Sequence, residues 1–405
     1  MEATIGNLVI IVAVGVLAPL LARLIGTWLA IPVVVFEIVL GIVVGPDALG
    51  WVTSDEHTEL IANFGLAMLF FLAGAEIDFR ELRGRPLTTA LAGWLVSLGA
   101  ALGLSFLLAP HVGAAVFIAI ALTSTALGTI MPMLRDAGDL RSPFGIAVTA
   151  VGAVGEFAPL IAISLFLSGR SPVQASLVLL GFAVIAGLAI WGAARGVGAE
   201  FERLVTATLH TSGQFAVRLF MIVTITLVGI SVVLGLDMLL GAFTAGVLYR
   251  LLMNGSDEAQ SKVIGSKIDA VAFGVFVPVF FIYTGVTFDL DALLASPTAL
   301  ALVPIFLVAL LLLRGLPSLL SLPRGANRLD RGAMVLYGAT GLPIIVAVTA
   351  IGVDQGDLGT EVAAALVGAG MLSVLIFPLL ALWLRRRSSD APTTGPDDDY
   401  VPTVA

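Results

Sequence analysis

The sequence predicts an all-α polytopic membrane protein with about thirteen transmembrane helices. Hydrophobic residues make up 59% of the 405 residues and charged residues only 12%, whereas a soluble domain is about a quarter charged. Apolar stretches of about twenty residues, the length that crosses a hydrocarbon core, recur along the whole chain. Cysteine is absent, so neither a disulfide framework nor a thiolate metal site is expected.

The transmembrane spans are separated by glycine, proline and clusters of charge. The join between the eighth and ninth spans is tight and the ninth is short, so a count of twelve is the alternative. The predicted spans are 5–25, 29–49, 58–76, 87–108, 111–134, 144–168, 172–195, 214–235, 237–253, 267–288, 297–320, 332–352 and 360–384.

The basic residues predict the orientation of these spans. With the N-terminus outside, eighteen of the 20 Lys and Arg residues fall on the inner face, as the positive-inside rule requires. Only Arg170 falls outside, and Arg314 lies within a span. We therefore expect a multi-pass protein of the plasma (inner) membrane with a cytoplasmic C-terminus. Residues 388–405 are polar and acidic, and are expected to form a disordered cytoplasmic tail.

Two halves of the chain resemble each other. The segment FFLAGAEIDFREL (70–82) matches FFIYTGVTFDLDAL (280–293), and LTSTALG (122–128), which interrupts the fifth span, matches GATGLP (338–343) in the twelfth. The matched spans are seven apart, so they cross the membrane in opposite directions. Inverted repeats with broken helices in equivalent positions are typical of secondary transporters, although segments this short can also match by chance. Small residues correspond in the same order: Gly41 and Gly45 with Gly241 and Gly246.

Glu156 is the only ionisable residue between 144 and 168. A charge at this depth is costly, so such acids usually face a protein or water-filled cavity. The functional interpretation is a carboxylate that exchanges a proton and an ion; the alternative is a protonated acid at a helix contact. Gly152 and Gly155 leave the helix face open, and Pro159 frees a carbonyl one turn earlier, which we assign to Gly155.

A group of hydroxyl side chains surrounds the interruption of the fifth span. Such groups either bond carbonyls of their own helix or line a cavity where half-helix ends present carbonyls and dipoles to an ion. The interruption of the twelfth span contributes one further hydroxyl. The candidates for cation binding or cavity lining are Thr123, Ser124, Thr125, Thr129, Gly155 and Thr340.

Four other charged residues lie in or near the spans. Arg314 either snorkels to the inner interface or lies inside, as a charge partner of Glu156 or of freed carbonyls. Glu37 is interpreted as a structural acid in the second span. Glu76 and Asp78 end the third span and are expected to be solvated or paired with arginines. No glycine loop with the pattern that binds ATP phosphates is present.

The chain resembles the monovalent cation–proton antiporter superfamily, nearest the branch of potassium efflux and sodium–proton antiporters. The resemblance lies in IPVVVFEIVLGIVVGP, MLFFLAGAEIDFREL, ALTSTALGTIMPMLRDAG, LLGAFTAGVL and PVFFIYTGV, and spans residues 5–385. It implies a sodium–proton antiporter-like fold, with crossed broken helices beside Glu156, and a homodimer. It also divides residues 1–387 into core helices (58–168 and 267–384), dimerisation helices (5–49 and 214–253) and a linker helix (172–195).

Two departures from the family pattern matter. The family's acid is usually Asp preceded by Asn, Asp or Gln, whereas this chain has Gly155 and Glu156. The second broken helix reads GATGLP where many members have Gly-Arg or Gly-Glu.

The resemblance implies a transporter, not an enzyme, that exchanges Na⁺ or K⁺ for protons by an elevator motion in the lipid bilayer. Neither a cofactor nor a nucleic-acid partner is expected. The alternatives are a proton-coupled exporter of a larger or organic solute and a non-transporting membrane sensor or scaffold.

Overall fold

The computed structural model describes residues 2–25, 32–77, 82, 84–166, 172–196, 214–253 and 258–389, and all of its regular elements there are helical. The first ten helices are α1 Glu2–Ile25, α2 Val33–Val44, α3 Glu56–Glu76, α4 Arg85–Leu108, α5 Val112–Leu122, α6 Leu127–Asp136, α7 Pro143–Phe166, α8 Pro172–Gly196, α9 Phe215–Val233 and α10 Met238–Met253. The rest are α11 Glu258–Val271, α12 Val277–Val286, α13 Leu290–Ala295, α14 Pro297–Ala309, α15 Arg328–Ala339, α16 Pro343–Asp354 and α17 Thr360–Ser389.

The helical membrane class is confirmed. In the described residues, ten helices are long and apolar enough to cross a membrane. Three shorter apolar helices, Val33–Val44, Val173–Leu188 and Met238–Met253, coincide with the second, seventh and ninth predicted spans. The outer faces are apolar too, as in α1, where Val9, Val12 and Val16 are exposed. The count of thirteen spans stays a prediction.

Both predicted interruptions are present, and they meet. The fifth span divides into α5 and α6, separated by residues 123–126, and the twelfth into α15 and α16, separated by residues 340–342. The backbone N–H of Ala126 donates to the carbonyl oxygen of Thr340 at 2.7 Å. The two extended breaks therefore cross in direct contact, and each satisfies backbone groups that the other leaves without a helical partner.

Glycines bring helices of opposite repeats into backbone contact in two equivalent pairs. A β-carbon on Gly41 of α2 would overlap the carbonyl oxygen of Ile282 in α12, and one on Gly285 of α12 would overlap that of Ile38. The backbones of α2 and α12 therefore touch, which only glycine permits.

The second pair consists of α3 and α10. A β-carbon on Gly74 of α3 would overlap the carbonyl oxygen of Phe243 in α10, and one on Gly246 of α10 would overlap that of Phe71. Since the second span corresponds to the ninth and the third to the tenth, the two contacts are the same contact in the two repeats. This agreement between the halves supports the inverted repeat.

The sequence placed the third and tenth spans with the core helices and the second and ninth with the dimerisation helices. The glycine contacts of α3 with α10 and of α12 with α2 therefore lie between the two expected groups, and the division itself stays a prediction. The motifs showed which helices correspond, but not which glycine face would meet which neighbour.

Two element boundaries differ from those expected from the sequence. The tenth span begins with α11 at Glu258 rather than at residue 267, because a polar helical extension precedes its apolar part. The last helix continues through Ser389, so the expected tail does not begin at 388. Residues 390–405, like Asp78 of the repeat motif, lie outside the described residues.

A Gly246→Ala substitution tests the backbone contact between α3 and α10. We expect a loss of about 1–3 kcal/mol, because the added methyl group must separate two touching backbones. Gly229→Ala in α9 is the matched control, since a β-carbon there meets nothing within 4 Å. Thermal unfolding of the purified protein in detergent measures both; equal melting temperatures for the two variants would contradict the close packing.

Candidate functional site

Glu156 lies near the middle of α7, with only 3% of its surface exposed. Its Oε1 accepts a hydrogen bond from the backbone N–H of Gly128 at 3.3 Å. Gly128 is in the first turn of α6, where free N–H groups and the helix dipole favour a negative charge. Oε2 is buried and has no hydrogen-bond partner. One carboxylate oxygen is thus held by the broken helix and the other is left without a donor.

Thr125 connects three elements beside this carboxylate. Its hydroxyl donates to the carbonyl oxygen of Gly338 at 2.8 Å and accepts from Nε of Arg314 at 2.8 Å. Its backbone N–H donates to the carbonyl oxygen of Gly155 at 3.1 Å. That carbonyl is the one which Pro159, four residues later, leaves without a helical donor. The proline in α7 therefore provides the acceptor that fixes the break between α5 and α6.

Arg314 is fully buried, which excludes snorkelling to the interface. It lies in a π-helical turn, Leu310–Gly315, that follows α14, and such turns are frequent at functional sites. Besides Thr125, it binds the carbonyl oxygen of Val151 through Nη2 at 2.7 Å, while Nη1 has no partner. Among the described contacts, no ion pair joins Arg314 to Glu156. Its partners are the hydroxyl of Thr125 and the backbone carbonyl of Val151, five residues before Glu156.

Gly155 is required by this arrangement. A β-carbon on Gly155 would lie 2.6 Å from Nη2 of Arg314 and 2.6 Å from Oγ1 of Thr125. The volume that a side chain would take beside Glu156 is therefore occupied by the guanidinium and the threonine hydroxyl. In the antiporter family that the sequence resembles, this position usually carries Asn, Asp or Gln. Here the guanidinium of Arg314 fills the volume that such a side chain would take.

The remaining hydroxyls bond within their own helices. Each hydroxyl oxygen retains lone pairs after this bond, so cavity lining stays a prediction for these residues. Glu37 is buried in α2, and no hydrogen bond or ion pair connects it to the described residues of the site. In the hydroxyl bonds named above, Thr123, Ser124, Thr129 and Thr340 donate to the backbone carbonyl oxygens of Ile120, Ala121, Ala126 and Leu336 respectively, each at 2.9 Å.

Sequence reasoning missed Ser373 on α17, which holds the second break. Its Oγ accepts from the N–H of Gly341 at 3.0 Å and lies 3.0 and 2.7 Å from the carbonyl oxygens of Gly341 and Gly370. A lone serine in an apolar span was the available signal. It carried little information, because serines in such helices commonly bond only their own backbone.

A Thr125→Val variant tests the central hydrogen bonds. It leaves the Gly338 carbonyl and Arg314 Nε without their partner in a buried region, for which we expect a loss of about 1–3 kcal/mol. Thr125→Ser keeps the hydroxyl and should stay close to the wild type. Thr123→Val, whose hydroxyl bonds only the carbonyl of Ile120, controls for removal of a buried hydroxyl. Thermal unfolding of all three should show Thr125→Val as the least stable; equal values for it and Thr123→Val would contradict the bridging role.

The chain is similar in sequence to proteins that are named as cation–proton antiporters. The chain is 26% identical over 403 residues to the putative Na⁺/H⁺ antiporter YjbQ of Bacillus subtilis, covering 95% of this chain and 64% of the relative. It is 24% identical over 357 residues to the Na⁺/H⁺-K⁺ antiporter GerN of Bacillus cereus, covering 86% and 88%. The chain thus spans less than two thirds of the first relative and most of the second.

The fold is also shared with a solved antiporter. The sodium proton antiporter MjNhaP1 of Methanocaldococcus jannaschii superimposes with a TM-score of 0.67 at 17% identity, over 96% of this chain and 97% of that one. The sequence model of the family described as sodium/hydrogen exchanger, transmembrane, matches residues 10–383. The chain therefore belongs to the transmembrane sodium/hydrogen exchanger family.

Proposed function

We propose that the protein is an antiporter that exchanges a monovalent cation, Na⁺ or K⁺, for protons, with Glu156 as the shared binding group. The observation that carries this proposal is the unpartnered Oε2 of a fully enclosed carboxylate, beside the crossing of two broken helices. A buried carboxylate with one oxygen that receives no hydrogen bond is stabilised by taking up either a proton or a cation. The names of the YjbQ and GerN relatives support the same activity.

Competition for one carboxylate couples the two fluxes. A proton on Glu156 removes the charge that attracts the cation, and a bound cation disfavours protonation. The N-terminal turn of α6 stabilises the ionised form through the N–H of Gly128, so the carboxylate can release one ligand before it binds the other. Arg314 stays protonated throughout, since a guanidinium does not lose its proton in proteins, and acts as a fixed positive charge.

We propose an elevator motion, in which α4–α7 and α14–α17 carry the site past α1–α3 and α9–α12. One contact supports this boundary: the rings of Phe157 on α7 and Phe243 on α10 stack with centroids 4.8 Å apart. An apolar stack of this kind can shift along the interface without leaving a buried hydrogen-bonding group unpaired. We propose that the homodimer surface lies on α1–α3 and α9–α12. The distribution of basic residues supports a place in the inner membrane with the N-terminus outside.

Replacement of Glu156 by Gln tests the shared carboxylate. Gln keeps the shape of the side chain and the hydrogen bond to Gly128 but cannot exchange a proton, so cation-dependent proton movement should be abolished. Glu156→Asp should keep part of the activity with an altered apparent cation affinity, because the carboxylate is withdrawn by one methylene. Proteoliposomes with a trapped pH-sensitive dye measure the exchange. Full antiport by Glu156→Gln, with wild-type thermal stability, would refute the single-carboxylate mechanism.

The charge balance of the site predicts electroneutral exchange. Gly155 provides no second titratable group, and the charge of Arg314 does not change, so one cation should exchange for one proton. A membrane potential of 100 mV acts on each uncompensated charge with about 2.3 kcal/mol, which would make the flux strongly voltage-dependent. Transport currents on solid-supported membranes should therefore be absent. Sustained currents that reverse with the potential would contradict the one-for-one scheme and direct attention to Glu37.

A further inference from the structure

Two cavities with charged side chains in their walls lie at the C-terminal ends of the second halves of the two broken helices, α6 and α16. One, the Glu76 cavity, has a volume of about 450 Å³ and is lined by Leu72, Glu76, Arg135 and Asp269, with Arg141, Arg250 and Lys262 also on its wall. The other, the Thr287 cavity, has a volume of about 280 Å³ and is lined by Thr284, Thr287, Ala350, Asp289 and Asp354. The Glu76 cavity lies at the C-terminal ends of α3 and α6, and the Thr287 cavity at those of α12 and α16.

Contacts along α3 and α6 connect the Glu76 cavity with the level of Glu156. Leu69 of α3 packs against Gly128 of α6, at 3.3 Å from the position of a β-carbon there, and Gly128 also binds Glu156. Seven residues further along each helix, Glu76 forms an ion pair with Arg135 at 3.2 Å. The two helices thus run parallel and in register. Seven residues are two helical turns, or about 10 Å, so the ion pair lies two turns from the level of the candidate site.

The ion pair bridges the two bodies proposed to move. Glu76 belongs to α3 and Arg135 to α6, which carries the N–H that binds Glu156. Their side chains are 24% and 57% exposed, and ion pairs of this exposure contribute little to stability. Opening the pair is therefore inexpensive. A cation that enters the cavity meets a carboxylate whose present partner is held only weakly.

In the Thr287 cavity, no equivalent ion pair is found among the described residues. Alignment of the repeats on Gly74 and Gly285 places Glu76 opposite Thr287, whose hydroxyl bonds the carbonyl oxygen of Tyr283 at 3.0 Å. The Thr287 cavity contains carboxylates, but no lysine or arginine is among the described residues that line it. The repeat thus places one cavity at the C-terminal end of α6 and another at that of α16. Among the described lining residues, a carboxylate paired with an arginine is found in the Glu76 cavity alone.

We propose that Glu76 receives the transported cation in its cavity and that Arg135 competes with the cation for this carboxylate. The pair then sets the apparent affinity for the cation at this face, which is the face rich in basic residues, and not at the other. This inference rests on the proposed antiport.

Two substitutions with opposite expected effects test it. Glu76→Gln should raise the KM for the cation at the Glu76 face about fivefold, which corresponds to about 1 kcal/mol at 1.4 kcal/mol per tenfold. Arg135→Gln should lower the same KM, because it frees the carboxylate. The maximal rate should change little in either variant. Initial rates are measured with Na⁺ and K⁺ separately, in vesicles of uniform orientation, with the cation supplied from each face in turn.

The matched control is Thr287→Val at the equivalent position of the other cavity, which should leave the KM at the Glu76 face unchanged. A purely structural ion pair would make Glu76→Gln and Arg135→Gln act in the same direction, and at both faces; that outcome would overturn the inference. Unchanged KM values in a protein whose exchange still depends on Glu156 would overturn it as well, while leaving the proposed function intact. Absence of any exchange in the wild type would instead overturn the proposed function and this inference with it.

Discussion

The buried guanidinium of Arg314 needs hydrogen-bond acceptors in a region that water does not supply, and this need organises the site around it. An unpaired polar group at such a depth costs several kcal/mol. The acceptors come from the hydroxyl of Thr125 and the carbonyl oxygen of Val151. Thr125 lies in the break between α5 and α6 and also bonds Gly338 at the end of α15. The guanidinium of Arg314, through Thr125 and Val151, therefore connects the first break, the end of α15 before the second break, and the helix that carries Glu156.

The position of Glu156 follows from this arrangement. The proline in α7 frees the carbonyl of Gly155, which binds the N–H of Thr125, and this contact fixes α7 against the start of α6. The first turn of α6 then presents the N–H of Gly128 to the carboxylate. Burial disfavours the charged carboxylate, whereas the helix terminus favours it. A carboxylate under two opposed influences is suited to exchange one positive ligand for another.

The departure at Gly155 has a steric explanation. In the antiporter family that the sequence resembles, a polar side chain usually precedes the acid, but here Arg314 and Thr125 occupy that volume. Restoring a larger side chain at Gly155 alone would therefore displace the guanidinium. The site has one carboxylate and one fixed cation in place of two adjacent polar groups. A direct ion pair between an acid and an arginine is instead found at Glu76 and Arg135, where both side chains are partly exposed.

The sequence by itself determined the class of protein, the approximate spans, both interruptions and the isolation of Glu156, because each depends on local composition and on the cost of polar groups in lipid. It also determined that Pro159 frees the carbonyl of Gly155, since that effect lies within one helix. Tertiary structure decided that α3 and α12 pack through glycines against α10 and α2, that Thr125 rather than Glu156 binds Arg314, and that Ser373 holds the second break. These contacts join residues far apart in the chain, and sequence periodicity does not specify which faces of two helices will meet.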